Sequence, residues 1–217
     1  MADIDYSLYF IMGSENTENP LNVLEQALLG GVTCFQFREK GSQARQGFEK
    51  HFFAKSCQLL CKHYEIPFIV NDDVELAIEL DADGVHIGQD DESALSVRKK
   101  IGNDKLLGVS VHSIQEAIEA KDAGADYVGI GPVYPTISKA DAKPVAGTSV
   151  IEEVSAYFPN LPIVGIGGIT PENSLPVFQA GAAGIAVISA IAAANNPKEA
   201  ARRFIAAVNK ERKLMKQ

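Results

Sequence analysis

The chain has 217 residues, with 20 Lys and Arg against 28 Asp and Glu for a formal charge of −8, a balance that argues against a general nucleic-acid binder, whose footprint is basic. With 46% hydrophobic and 22% charged residues and no low-complexity tract, it reads as one globular domain over residues 1–217 that is large enough to bury a substantial core. No apolar run approaches the roughly 20 residues of a membrane span, and the Met-Ala-Asp-Ile-Asp start lacks the basic and apolar regions of a signal peptide, so a cytoplasmic protein with no membrane partner is expected.

Hydrophobic period predicts a strand at 8–12, an amphipathic helix at 21–29, a strand at 33–38 and a longer helix within 48–64. Further strands follow at 68–70, 85–87, 107–110, 127–130, 163–166 and 185–188, each succeeded by a helix-like segment. Helix starts carry their own chemistry. Ser113 with Glu116 and Ser149 with Glu152 fit capping boxes, and Thr170-Pro171 and Asn196-Pro197 place a capping side chain before proline. In the last helix Ala201, Phe204, Ile205 and Val208 form one apolar stripe. A weak repeat, as in Gly30-Gly31-Val32, Asp83-Gly84-Val85, Gly124-Ala125-Asp126 and Gly181-Ala182-Ala183, closes each helix with glycine in left-handed geometry and enters a strand. Of the three cysteines, Cys57 and Cys61 share a helix face, and together with Cys34 they read as reduced, packed thiols rather than a metal set.

Short, continuously apolar strands alternating with helices imply a parallel α/β fold. Eight units in 217 residues leave roughly 27 residues each, enough for a strand, a helix of about 11 residues and two short loops. A single (β/α)8 TIM barrel fits. The doubly wound alternative is weaker, because no Gly-x-Gly-x-x-Gly turn follows the first strand.

In such a barrel the chemistry sits at the C-terminal ends of the strands. On the second strand, period two places Gln36 and Arg38 on one face toward the mouth, with Lys40 just beyond, a set suited to an anion. The third strand ends in Asn71-Asp72-Asp73, where one acid is equally well an N-cap, and the fourth in Gly88-Gln89-Asp90-Asp91. Paired carboxylates beside cations suit Mg²⁺ together with a diphosphate; a carboxylate dyad for acid-base work is the competing idea. On the fifth strand Ser110 and His112 share a side and are read as hydrogen-bonding groups, since no orienting third residue or nucleophile elbow accompanies them. His51, His63 and His86 are read as helix-surface or packing residues. The long loop from Gly131 through Thr136, Ser138, Lys139 and Lys143 to Gly147 offers hydroxyls and lysine for gripping a phosphate. The turns at Gly167-Gly168 and Ile188-Ser189 lie after strands seven and eight, where barrels often bind phosphate through backbone N–H groups. Two anion sites at one rim imply the joining of two small phosphorylated substrates, with diphosphate leaving.

Several stretches, Phe35-Gln36-Phe37-Arg38-Glu39-Lys40, Val70-Asn71-Asp72-Asp73, Gly84-Val85-His86-Ile87-Gly88-Gln89, Gly108-Val109-Ser110-Val111-His112, Gly131-Pro132-Val133-Tyr134-Pro135-Thr136, Gly165-Ile166-Gly167-Gly168-Ile169 and Val187-Ile188-Ser189-Ala190, resemble the thiamine phosphate synthase family in order and along nearly the whole chain. The resemblance implies a (β/α)8 transferase that couples 4-amino-5-hydroxymethyl-2-methylpyrimidine diphosphate to 4-methyl-5-(2-phosphoethyl)thiazole. It further implies that Gln36, Arg38, Lys40, Asn71, Ser110 and Lys139 bind the pyrimidine diphosphate, with Arg38, Lys40, Ser110 and Lys139 acting in catalysis. Asp72 and Asp91 match the Mg²⁺ ligands, leaving Asp90 a bystander, and Thr136, Ile137, Ser138, Gly168, Ile188 and Ser189 match the thiazole-phosphate site. Ser138 stands where a threonine is often found. The related thiazole tautomerase tends to lack the diphosphate and metal set present here, and a silent phosphate-binding module is the remaining alternative.

Overall fold

The structure, a computed structural model, describes residues 4–136, 138 and 145–214. Eight strands, β1 (Leu8–Met12), β2 (Cys34–Phe37), β3 (Phe68–Asn71), β4 (Gly84–Ile87), β5 (Leu106–Val111), β6 (Tyr127–Ile130), β7 (Ile163–Ile166) and β8 (Gly184–Val187), form a closed barrel in sequence order. Every neighbouring pair is parallel, and the ring is sealed where Leu8 pairs with Ile185 and Phe10 with Val187. Between the strands run α1 (Pro20–Leu29), α2 (Gly47–His63), α3 (Val74–Glu79), α4 (Ala94–Ile101), α5 (Ile114–Asp122), α6 (Ser149–Tyr157) and α7 (Leu175–Gln179). The last strand is followed by a four-residue α8 (Ser189–Ala192) and then α9 (Pro197–Leu214). No helix among the described residues is long and apolar enough to cross a membrane.

The strands are buried on both faces, which is why they read as continuous apolar runs rather than alternating ones. Their period of two sorts the core into two layers. Leu8, Phe10, Phe35, Phe37, Phe68 and Val70 point outward into a shell shared with the helices. Tyr9, Ile11, Cys34, Ile69, Tyr127 and Val164 point inward and fill the barrel. The inward parity, continued past the strand ends, is what aims Arg38, Asn71, Ser110 and His112 at the mouth. All three cysteines are buried, and burial pushes their thiols well above the ordinary range, as expected of packed side chains.

Some local expectations need correction. Ser113 does cap α5, accepting from the Glu116 N–H at 3.2 Å, but the Glu116 carboxylate turns to the backbone N–H of His112 at 2.7 Å, so only half of the box forms. Thr148, not Ser149, occupies the N-cap of α6, its hydroxyl donating to Glu152 at 3.0 Å. Thr170-Pro171 starts no α-helix. The Thr170 N–H is taken by the Asn173 side chain at 2.7 Å, which closes a turn, and α7 begins only at Leu175. Asn196 behaves as expected, accepting from the Glu199 N–H at 3.0 Å. Gly31, Gly124 and Gly181 take positive φ, but before β4 that role falls to Asp81 at φ 52°. Gly84 is needed for space instead, since a Cβ there would lie 2.4 Å from the Leu106 carbonyl oxygen.

Candidate active site

A pocket opens at the C-terminal ends of the strands, lined from the second unit round to the eighth. Its first half carries charge. Arg38 and Lys40 follow β2, Asn71 and Asp72 end β3, and Asp90 and Asp91 follow β4. Lys40 Nζ lies 3.0 Å from Asp72 Oδ2. Asp72 adopts left-handed backbone at φ 63°, and its N–H donates to the His86 carbonyl at 2.9 Å, which turns the chain so that the carboxylate faces the pocket. Burial pushes the Asp72 carboxyl up; Asp91 beside it adds to the rise, and Lys40 opposes it. Asp91 is held by the Gly88 N–H at 2.7 Å. Asp73 takes the structural role that one of these acids was expected to fill: it caps α3, accepting from the Leu76 N–H at 3.0 Å, and pairs with Lys50 at 2.6 Å.

The second half is made of hydroxyls and glycines. Ser138 Oγ and Ser189 Oγ are 2.8 Å apart across the rim, and the Ser138 N–H donates to Thr136 Oγ1 at 3.2 Å. Ile188 precedes Ser189 at the start of α8. Gly167 and Gly168 take φ 103° and 62°, and a Cβ on Gly168 would sit 2.5 Å from the Pro135 carbonyl oxygen, so both belong to a tight crossing of the sixth and seventh loops. Ile137, Lys139 and Lys143 lie outside the described residues.

Gln36 does not line the main pocket but a recess that shares His86, Ser110 and Gly129 with it. It is 1% exposed, and the recess lies beneath the floor, with Tyr9 and Tyr127 also on its wall. His86, expected to be a helix-surface or packing residue, is a buried residue of β4 packed against Tyr127, and its ring also bonds Ser110 Oγ at 2.9 Å and Tyr127 Oη at 3.1 Å. The available signal was its parity, since Gly84, His86 and Gly88 alternate with Val85 and Ile87, and a polar residue on the inner face of a buried strand needs a partner. Tyr9 and Tyr127 gave no signal, being aromatic residues within apolar runs. His112 lines the rim, its Nδ1 3.0 Å from Glu116. Among the described residues no group of three or more His, Cys, Asp or Glu converges on one point.

The family model for thiamine monophosphate synthase matches residues 8–191. The chain belongs to the thiamine monophosphate synthase family. Membership places it among the transferases of thiamine biosynthesis. A thiamine-phosphate synthase from Bacillus licheniformis is 58% identical over 199 residues, 91% of this chain and 88% of the relative. One from Geobacillus thermodenitrificans is 57% identical over 203 residues, 93% of this chain and 91% of the relative. In structure, a thiamine phosphate pyrophosphorylase from Pyrococcus furiosus superimposes with a TM-score of 0.86 at 33% identity, covering 96% of this chain and 98% of its own. The TIM-barrel expectation thus holds in the closed ring and in a solved relative of the family.

Proposed function

We propose that the chain condenses 4-amino-5-hydroxymethyl-2-methylpyrimidine diphosphate with 4-methyl-5-(2-phosphoethyl)thiazole, or its carboxylated form, giving thiamine phosphate and diphosphate. The observation that carries this reading is the division of one pocket into a cation-and-carboxylate half and a hydroxyl-and-glycine half. Two differently built anion sites in one cavity suit two phosphorylated substrates brought to react.

Asp72 and Asp91 fit Mg²⁺. They are hard oxygen donors on adjacent loops, and the raised carboxyl of Asp72 marks a pair that a cation would relieve. Bound there, Mg²⁺ supplies positive charge for the diphosphate oxygens. Arg38, Lys40 and, from the sequence, Lys139 stabilise the leaving charge, while Asn71, Ser110 and Gln36 hold the pyrimidine. The bond from the pyrimidine methylene carbon to the diphosphate oxygen breaks with its electron pair leaving on diphosphate. The thiazole nitrogen then donates its lone pair to form the new C–N bond, so no protein nucleophile is required. Ser138, Ser189, Thr136, Gly168, Ile188 and, from the sequence, Ile137 hold the thiazole phosphate in line, and the two bound substrates displace water from around the pyrimidine-methyl cation.

The test is to mix purified protein with both substrates and Mg²⁺ and to follow thiamine phosphate and diphosphate. Equimolar appearance of both supports the reading. Failure to form either, with isomerisation of a thiazole carboxylate phosphate instead, overturns it in favour of a tautomerase.

A further inference from the structure

Beneath the pocket floor a single chain of polar atoms crosses the barrel interior. Gln36 Nε2 donates to Tyr9 Oη at 3.2 Å, Tyr9 Oη meets Tyr127 Oη at 2.8 Å, Tyr127 Oη meets His86 Nδ1 at 3.1 Å, and His86 Nε2 meets Ser110 Oγ at 2.9 Å. Burial keeps both phenols protonated, pushing them well above their ordinary range. Each phenol has one hydrogen to give, and Tyr9, which neighbours both Tyr127 and the Cys34 sulfur, sets the direction of the rest. In the direction in which Tyr9, accepting from Gln36, gives its hydrogen to Tyr127, Tyr127 gives its own to Nδ1 of His86. The imidazole then carries its proton on Nε2 and donates to Ser110. Ser110 keeps its own hydrogen for the pocket. At the other end, Gln36 Oε1 is buried without a partner. A reversed chain would leave Ser110 able only to accept.

We propose that Tyr9, Tyr127 and His86 are positioning residues whose hydrogen-bond direction makes Ser110 a donor and leaves Gln36 an acceptor, so that the site selects a 4-aminopyrimidine over its 4-oxo counterpart. The proposal rests on the function proposed above and deepens it. A 4-aminopyrimidine presents a ring-nitrogen acceptor beside an amino donor, the complement of this pair. The 4-oxo ring presents N–H beside carbonyl, the inverse pattern, and leaves buried polar groups facing like groups. Such mismatches reject an analogue strongly, where a purely apolar pocket would not.

The test compares kcat/KM for the 4-amino and 4-oxo pyrimidine diphosphates in the wild type, Tyr127→Phe and Tyr9→Phe. The wild type is expected to favour the amino compound by roughly 10³-fold or more. Tyr127→Phe frees His86 to take either tautomer, and the preference is expected to fall at least about tenfold, chiefly through KM for the pyrimidine substrate. Tyr9→Phe keeps the Tyr127 hydrogen but loses its direction, and a smaller fall is expected. A merely structural role would lower both substrates alike, and an unchanged preference in both variants overturns the proposal. Nitrogen-15 NMR of the imidazoles in ligand-free protein gives a readout independent of turnover. The chain has 4 histidines, so His86→Asn assigns the resonance. The Nε2-protonated tautomer is expected in the wild type, shifting toward Nδ1 in Tyr127→Phe, or in Tyr9→Phe should the first variant not fold. An Nδ1-protonated wild type overturns the proposal. Should the wild type make no thiamine phosphate while His86 is Nε2-protonated, the function falls and the relay stands.

Discussion

Asp72 holds left-handed backbone at φ 63°, a conformation that Asp and Asn tolerate better than most other residues. The consequence is a carboxylate turned toward Lys40 and Asp91 instead of capping the helix behind it. Asp72→Asn keeps both shape and tolerance while removing the charge. The Mg²⁺ concentration for half-maximal rate is expected to rise at least about tenfold, with the melting temperature little changed, as outer contacts of a metal site alone change affinity by that order. An unaltered Mg²⁺ titration removes the metal assignment. Glu39 works at one remove. Its carboxylate accepts from the N–H groups of Ser14 at 2.9 Å and Arg45 at 2.7 Å and from the Ser14 hydroxyl, tying the first loop to the second between Arg38 and Lys40. Glu39→Gln loses charge-assisted acceptance, and KM for the pyrimidine diphosphate is expected to rise roughly tenfold while KM for the thiazole phosphate holds. At this scale Arg38 and Lys40 were legible, because strand parity carries past the strand end, whereas Asp72 lies off that parity and faces the pocket only through its left-handed backbone. Tyr9 and Tyr127 were not legible, because a tyrosine whose hydroxyl is bonded inside a barrel has the same local pattern as one that merely fills it.

The loop-to-helix junctions show how neighbouring side chains compete for the same N–H groups. Ser113 was readable as a cap because no rival hydroxyl stands beside it, and Asn196, although Asn195 precedes it, because Pro197 marks the first helical position. Thr148 and Ser149 are adjacent hydroxyls, and the sequence alone does not order them; at Thr170 the Asn173 amide wins the backbone N–H and delays the helix. Asp73 at the start of α3 illustrates the energetic side. Burial works against its ionised form, but Lys50 and the Leu76 N–H overcome that and hold the carboxyl below its ordinary value of 3.8. A carboxyl lower in the folded state contributes stability that is fully present above that ordinary value and is lost as pH falls through the folded one. Thermal melts from pH 7 down to pH 3 are therefore expected to show a smaller acid-induced loss in Asp73→Asn than in the wild type. Asp73→Ala is expected to cost about 1 kcal/mol at neutral pH, the usual value of a lost N-cap.

For the molecule as a whole, the continuous apolar strands made the parallel barrel readable, since only a sheet covered on both faces needs them. What the sequence hid was how closely the backbones approach where the ring closes. A Cβ on Gly184 would lie 1.7 Å from the Tyr6 carbonyl oxygen, whereas nothing lies within 4 Å of one on Gly102. Gly184→Ala is expected to destabilise the fold in urea by about 3 kcal/mol or more, through overpacking at the seam. Gly102→Ala, strained by its backbone of φ 74° and ψ −167° but not by crowding, is expected to lose less, about 1–2 kcal/mol. Equal losses would mean that the seam yields freely.

That seam also sets a timetable for biogenesis. Because β1 has β8 as its partner on one side, the edge formed by residues 8–10 stays open until residues 185–187 have been synthesised and released from the ribosome. Until then the nascent sheet exposes an unpaired strand, the kind of edge that recruits other chains. Ser189, on the rim of the pocket, arrives in the same late segment. A chain that ends before β8 therefore lacks both the strand that seals the ring and part of the pocket rim, so the step that closes the edge is also the step that completes the site.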